Sequence, residues 1–174
     1  MKQIRRLVLF LTMAGTSFVS AQMNFVLKSS KALVNGTSSL HDWESSVSQV
    51  TCTGLFSIKG SSLHSIQNVL IKIPVTGIKS SEGKTMDNKT YKAFKSNKNP
   101  FIIYTLTSPQ INEDQQEATI EATGNLIMAG FSQPVALTVK SKFFPSGDLQ
   151  LSVTQKNKND FIQDETSDCN IRHH

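Results

Sequence analysis

The sequence predicts an all-β, antiparallel domain with one short helix, and three observations predict it. Apolar residues alternate with polar ones at a period of two through several separate segments. Clusters of Gly, Pro and Ser stand between those segments as turn signals. Only one stretch, residues 86 to 96, places apolar residues at helical spacing. Many strands and one short helix in a chain of 174 residues build either a closed barrel or a sandwich.

The elements follow in chain order. Lys2, Arg5 and Arg6 precede an apolar run from Leu7 to Val19, which is shorter than the ~20 residues of a membrane-spanning helix. Val19 and Ala21 are the small residues a signal peptidase requires, so residues 1–21 read as a cleaved leader and Gln22 as the mature start. Thr51 to Lys59 places Cys52, Gly54, Phe56 and Ile58 on one face of a strand. Val69, Ile71, Ile73 and Val75 alternate with Leu70, Lys72, Pro74 and Thr76 in a second. Met86, Thr90, Ala93 and Phe94 form the stripe of the helix, and Asn97 to Pro100 ends it. Later strands follow from Ile120, Ala122, Gly124, Leu126 and Met128, then Val135, Leu137 and Val139, then Leu149, Leu151 and Val153. The turn signals are Lys59-Gly60-Ser61-Ser62, Ala129-Gly130 and Pro145-Ser146-Gly147-Asp148. Several inward positions are small (Gly54, Ala122, Gly124), which favours an interior with room in it over a tightly packed sandwich.

Charge excludes one class of partner. The chain carries 18 basic and 13 acidic side chains, a net of +5. The leader holds three of the basic residues and no acid, so the remainder has fifteen against thirteen, a net of +2. So weak a field gives no reason to expect nucleic acid. The helix carries Lys89, Lys92 and Lys95, flanked by Lys84 and Lys98. A basic amphipathic helix can make transient contact with an anionic membrane surface, and the plainer reading is a solvated face on a helix packed against a sheet. Cys52 and Cys169 could pair in an oxidising compartment, but a buried thiol at Cys52 is favoured because Cys169 falls in a polar tail without periodicity.

"NGTSSLHDWES", residues 35 to 45, contains the ingredients of a hydrolase. If residues 37 to 43 are extended, His41 and Trp43 share a face with Ser39, and Asp42 points the other way. His41 and Asp42 then cannot make the hydrogen bond that orients a catalytic imidazole. No nucleophile elbow occurs elsewhere. The histidines His41, His64, His173 and His174 have no carboxylate at ligand spacing, so neither a metal nor another cofactor is expected.

Four stretches carry a family likeness: "GTSSLHDWE" (36 to 44), "TGLFSIKG" (53 to 60), "MDNKTYKAFKSNKNPFIIYTL" (86 to 106) and "TGNLIMAGFSQPVAL" (123 to 137). In this order they resemble the YceI-like family of exported lipid-binding proteins, over roughly Phe25 to Phe161. The resemblance implies an eight-stranded antiparallel, lipocalin-like barrel around a long isoprenoid chain, a polyprenyl or quinone tail, and it brings no catalytic residues. An eight-stranded barrel is wide enough for one small ligand. On this reading Val34, Phe56, Ile71, Ile73, Ile102, Tyr104, Leu126, Met128, Leu137 and Val139 line a tunnel. His41 and Trp43 sit near one end, either contacting a headgroup or, for Trp43, plugging the barrel. The implied function is a periplasmic or secreted carrier or store for an isoprenoid lipid. The alternative is a secreted β-sandwich recognised by its surface, with no lipid. The likeness fails after Phe161. "IQDETSDCNIRHH" loses alternation, so residues 162–174 are expected to form a polar tail that leaves the barrel without its last strand, as a frameshift or premature stop would.

Overall fold

Alternation becomes strands in the computed structural model, which describes residues 22–36, 42–59, 62–114, 117–155 and 163–173. The strands are β1 (Gln22–Gly36), β2 (Trp43–Val47), β3 (Thr51–Lys59), β4 (Ser62–Pro74), β5 (Ile78–Ser80), β6 (Phe101–Asp114), β7 (Glu117–Met128), β8 (Phe131–Phe143), β9 (Asp148–Gln155) and β10 (Gln163–His173). Helix α1 (Lys84–Ala93) lies between β5 and β6. The ring runs β1–β3–β4–β6–β7–β8–β9–β10 and returns to β1, every pairing antiparallel. This is the eight-stranded, lipocalin-like barrel, and its closure removes the sandwich alternative. β2 and β5 are a short flap outside the ring: β1 pairs with β2 over Ala32–Gly36, and β2 pairs with β5.

The expected loss of the last strand is corrected. Gln163–His173 pairs with β9 on one side and with β1 on the other, so the barrel extends past Phe161 and the segment is not a loose tail. The physical reason is that a ladder is made by backbone N–H and C=O groups, which every residue except proline supplies. Residues 163–173 contain no proline. Side-chain alternation reports which face is buried, and its absence does not forbid pairing.

Bulges interrupt the simple period. In β1 the register against β10 shifts between Leu27 and Ser29, so the inward set passes from Phe25 and Leu27 to Ala32 and Val34. In β4 the register against β3 shifts twice, and Asn68 takes a φ of 54°. Its buried residues therefore fall at Leu63, Ile66 and Val69, three apart, before Ile71 and Ile73 resume the period of two. Val75, expected on that strand, is fully buried in a 3-10 turn just beyond it.

One end of the barrel is filled. Phe25 and Phe56 meet edge to face with ring centroids 5.3 Å apart, surrounded by Leu63, Ile66, Ile120 and Leu149. Cys52 is buried in the same cluster. Two of the small inward residues expected to leave room, Gly54 and Gly124, are filled as well, while Ala122 lies on the wall of an open space. A methyl at Gly54 would lie 2.9 Å from the Phe56 ring, and one at Gly124 would collide with the ring and hydroxyl of Tyr104. Glycine here admits an aromatic ring laid across the strand; it does not create space.

The helix spans Lys84–Ala93, two residues earlier at its start and three earlier at its end than its sequence stripe. Asp87 is buried and accepts the Ser80 backbone N–H at 2.8 Å, while Lys79 Nζ stands 3.7 Å from its other oxygen. Lys79 Nζ also donates to Tyr91 Oη at 2.6 Å, and that hydroxyl reaches the carbonyls of Thr76 and Ile78. The hydrogen bond to Tyr91 holds the Lys79 ammonium above its ordinary pKa range. These contacts fasten α1 to β5, across one end of the barrel. Ala93, expected on the inner stripe, is exposed because the packed face is the narrow row Met86, Thr90 and Phe94.

Candidate functional site: an apolar hollow

Beyond the filled end the inward residues no longer meet. They surround a hollow of about 380 Å³ that is more enclosed than open. Of the twelve residues proposed from sequence, ten for the tunnel and two (His41 and Trp43) for one end of it, eleven line the hollow: Val34, Trp43, Phe56, Ile71, Ile73, Ile102, Tyr104, Leu126, Met128, Leu137 and Val139. The twelfth, His41, lies outside the described residues. Most of these side chains are half-buried although they face inward, since what they are exposed to is the hollow itself. Trp43 opens β2 and forms part of the wall. Asp42, next to it, is exposed, as expected from alternation.

The wall has parts that the sequence reading did not assign to it. Thr90 and Phe94 of α1 close it from one end, and Val47, Val50 and Ile78 of the β2–β5 flap close it from the side. Thr90 and Phe94 were legible as the apolar stripe of the helix, which marked them as packed without saying against what. Ile78 sits in a strand of three residues, too short for any period to show.

The chemistry of the wall is sparse. Tyr104 donates its hydroxyl to the Ala122 carbonyl at 3.2 Å, and burial raises its pKa above the usual phenol value, so it stays neutral. Among the described residues Lys31 is the only charged side chain on the wall; Ser30, Thr90 and Gln133 are polar. No group of His, Cys, Asp and Glu among the described residues could hold a metal ion. The exposed members are Ser30, Lys31 and Gln133, and the first two stand where β1 passes from one partner to the next. β1 pairs with β3 only as far as Val26 and with β2 only from Ala32. Among the described residues β8 pairs with β9 over Val139–Phe143. An arrangement of this kind can exclude water from a flexible hydrocarbon.

No family model matches the chain, and no curated protein matches it. Solved structures do. BcnA of Burkholderia cenocepacia superposes with a TM-score of 0.60 at 10% identity, over 82% of this chain and 94% of that one. A polyisoprenoid-binding domain of Saccharophagus degradans, implicated in plant cell wall breakdown, gives 0.58 at 6% identity, over 87% and 97%. The YceI protein of Campylobacter jejuni gives 0.53 at 18% identity, over 66% and 67%. The chain therefore has the fold of the YceI-like proteins.

Proposed function

We propose that this protein binds a lipid by its hydrocarbon part, holding a long isoprenoid chain in the hollow as a carrier or store. The observation that carries the reading is the wall itself: inward apolar residues from nine strands and the helix end that face space and not one another. Its volume lies within the range of about 300–1,000 Å³ typical of ligand pockets. It is more than twice the ~150 Å³ of an engineered apolar cavity that admits benzene. Each buried CH₂ contributes about 0.8 kcal/mol, so ten carbons supply roughly 8 kcal/mol before ordering costs, without any directional contact. The polyisoprenoid-binding domain of the same fold supports an isoprenoid as the class of chain. The leader read at residues 1–21 supports export to the periplasm or beyond. Binding, with no catalysis, is the whole of the proposed activity.

The test is organic extraction of the purified protein followed by mass spectrometry. Wild type is expected to yield a polyprenoid, and Ile73→Lys, which puts an ammonium on the wall, is expected to yield little. Leu137→Trp fills the hollow without introducing charge and covers the case in which the lysine variant does not fold. Lys140→Ala, on the outer face of β8, should keep its lipid. Full loading of both wall variants would overturn the proposal.

A further inference from the structure

The end of the barrel covered by α1 differs in charge from the opposite end. Residues 84–98 contain five lysines and one acid, Asp87, which is buried and already engaged with Ser80 and Lys79. Lys84, Lys89, Lys92, Lys95 and Lys98 are all exposed, and none has an ion-pair partner among the described residues. The acids at this end are Asp42 and Glu44, at the start of β2, and Glu82, in the turn between β5 and α1. At the far end the β6–β7 hairpin carries Glu113, Asp114, Glu117 and Glu121, opposed by Lys140 and Lys142 of β8.

The same lysine-rich end has one strongly exposed aromatic ring. Phe131 is 74% exposed, far more than any other large apolar residue described. It opens β8 directly opposite Met128, in the row that continues inward through Gln133 and Val135, all three of which line the hollow. Phe131 is thus at the lip of the opening. The Ala129-Gly130 turn beside it lies against Asn99, whose amide reaches the Phe94 carbonyl, so the lip and the end of the helix form one continuous rim. The helix's own apolar row, Met86, Thr90 and Phe94, faces the barrel and cannot enter a bilayer as an interfacial helix would. What the rim offers is a charged footing with a single apolar anchor.

We propose that this rim docks on an anionic lipid bilayer, Phe131 entering the headgroup region and the exposed lysines of residues 84–98 resting on the surface, so that the opening faces the membrane. The proposal goes beyond lipid binding in the hollow, and vesicle binding reads it whether or not the hollow is loaded. In flotation with vesicles of equal parts phosphatidylglycerol and phosphatidylcholine, the full chain is expected to bind. Raising the salt should release it, and pure phosphatidylcholine should not retain it. Phe131→Ser should weaken binding about tenfold, and each of Lys89→Ala, Lys92→Ala and Lys95→Ala about fivefold. Lys140→Ala at the far end should not change it. Phe131 and these lysines are exposed, so all variants should melt with wild type. Failure to bind anionic vesicles, or equal binding by wild type and the Phe131 and lysine variants, would overturn the proposal. Extraction of a polyprenoid from a protein that does not bind vesicles would do so while leaving the proposed function intact.

Discussion

The two ends of this barrel are built from the same kinds of residue and end up in opposite states. At one end Phe25, Phe56, Leu63, Ile66, Ile120 and Leu149 pack until Leu149 has no exposure and Phe56 has 1%. At the other, Ile73, Ile102, Leu126 and Met128 occupy equivalent inward positions and stay half-buried around open space. Apolar content does not separate them. What does is whether anything reaches across. In the filled end an aromatic ring lies over Gly54, and the bulges of β4 bring Leu63, Ile66 and Val69 inward at close intervals. At the hollow end α1 and the flap close the wall, and the inward side chains face a space of about 380 Å³. Alternation fixes which face is greasy; large residues and bulges decide whether that face meets protein or open space.

Substitutions should feel this difference. Phe56→Ala removes a fully buried ring from a packed cluster and is expected to cost about 3–5 kcal/mol in denaturant unfolding. Leu126→Ala, on the wall of the hollow, removes fewer contacts and enlarges a space that already exists. Its expected cost is below about 2 kcal/mol, under the usual range for buried leucines. Equal costs at the two sites would break the comparison. The smallest effect belongs to the outer surface of the filled end, where Lys142 Nζ lies 2.9 Å from Glu117 Oε1. The Lys142 hydrogen bond lowers the Glu117 pKa. A carboxylate lowered in the folded state adds stability above its unfolded pKa and loses it as pH falls through the folded value. Glu117→Gln should therefore flatten the acid side of the melting profile slightly and leave neutral pH nearly unchanged. A large shift at neutral pH would show that the pair does more than its exposure allows.

Much of this was legible in the chain. Strands β7 to β9 follow their alternation, and all ten residues read as inward line the hollow, together with Trp43, read at one end of it. Three things were not. The bulges of β1 and β4 change parity within a strand, so a fixed period of two finds Val69, Ile71 and Ile73 but not Leu63 and Ile66. The inward glycines look like room from the sequence, whereas Tyr104 and Phe56 fill them from elsewhere in the fold. Strand β10 shows no pattern at all, because its place is set by backbone partners on β9 and β1. Long-range closure leaves little trace in a local period. The likeness of four short stretches to the YceI-like family carried the fold further than periodicity could.

The central claim is that the second end is open to a hydrocarbon and the protein's own atoms do not fill it. Native mass spectrometry of the wild-type protein beside Leu137→Trp tests it most directly. The account predicts one bound lipid per wild-type chain, with the mass of a long isoprenoid, and a bare polypeptide for the tryptophan variant. A bare wild-type chain, or an adduct held equally by both proteins, would contradict it.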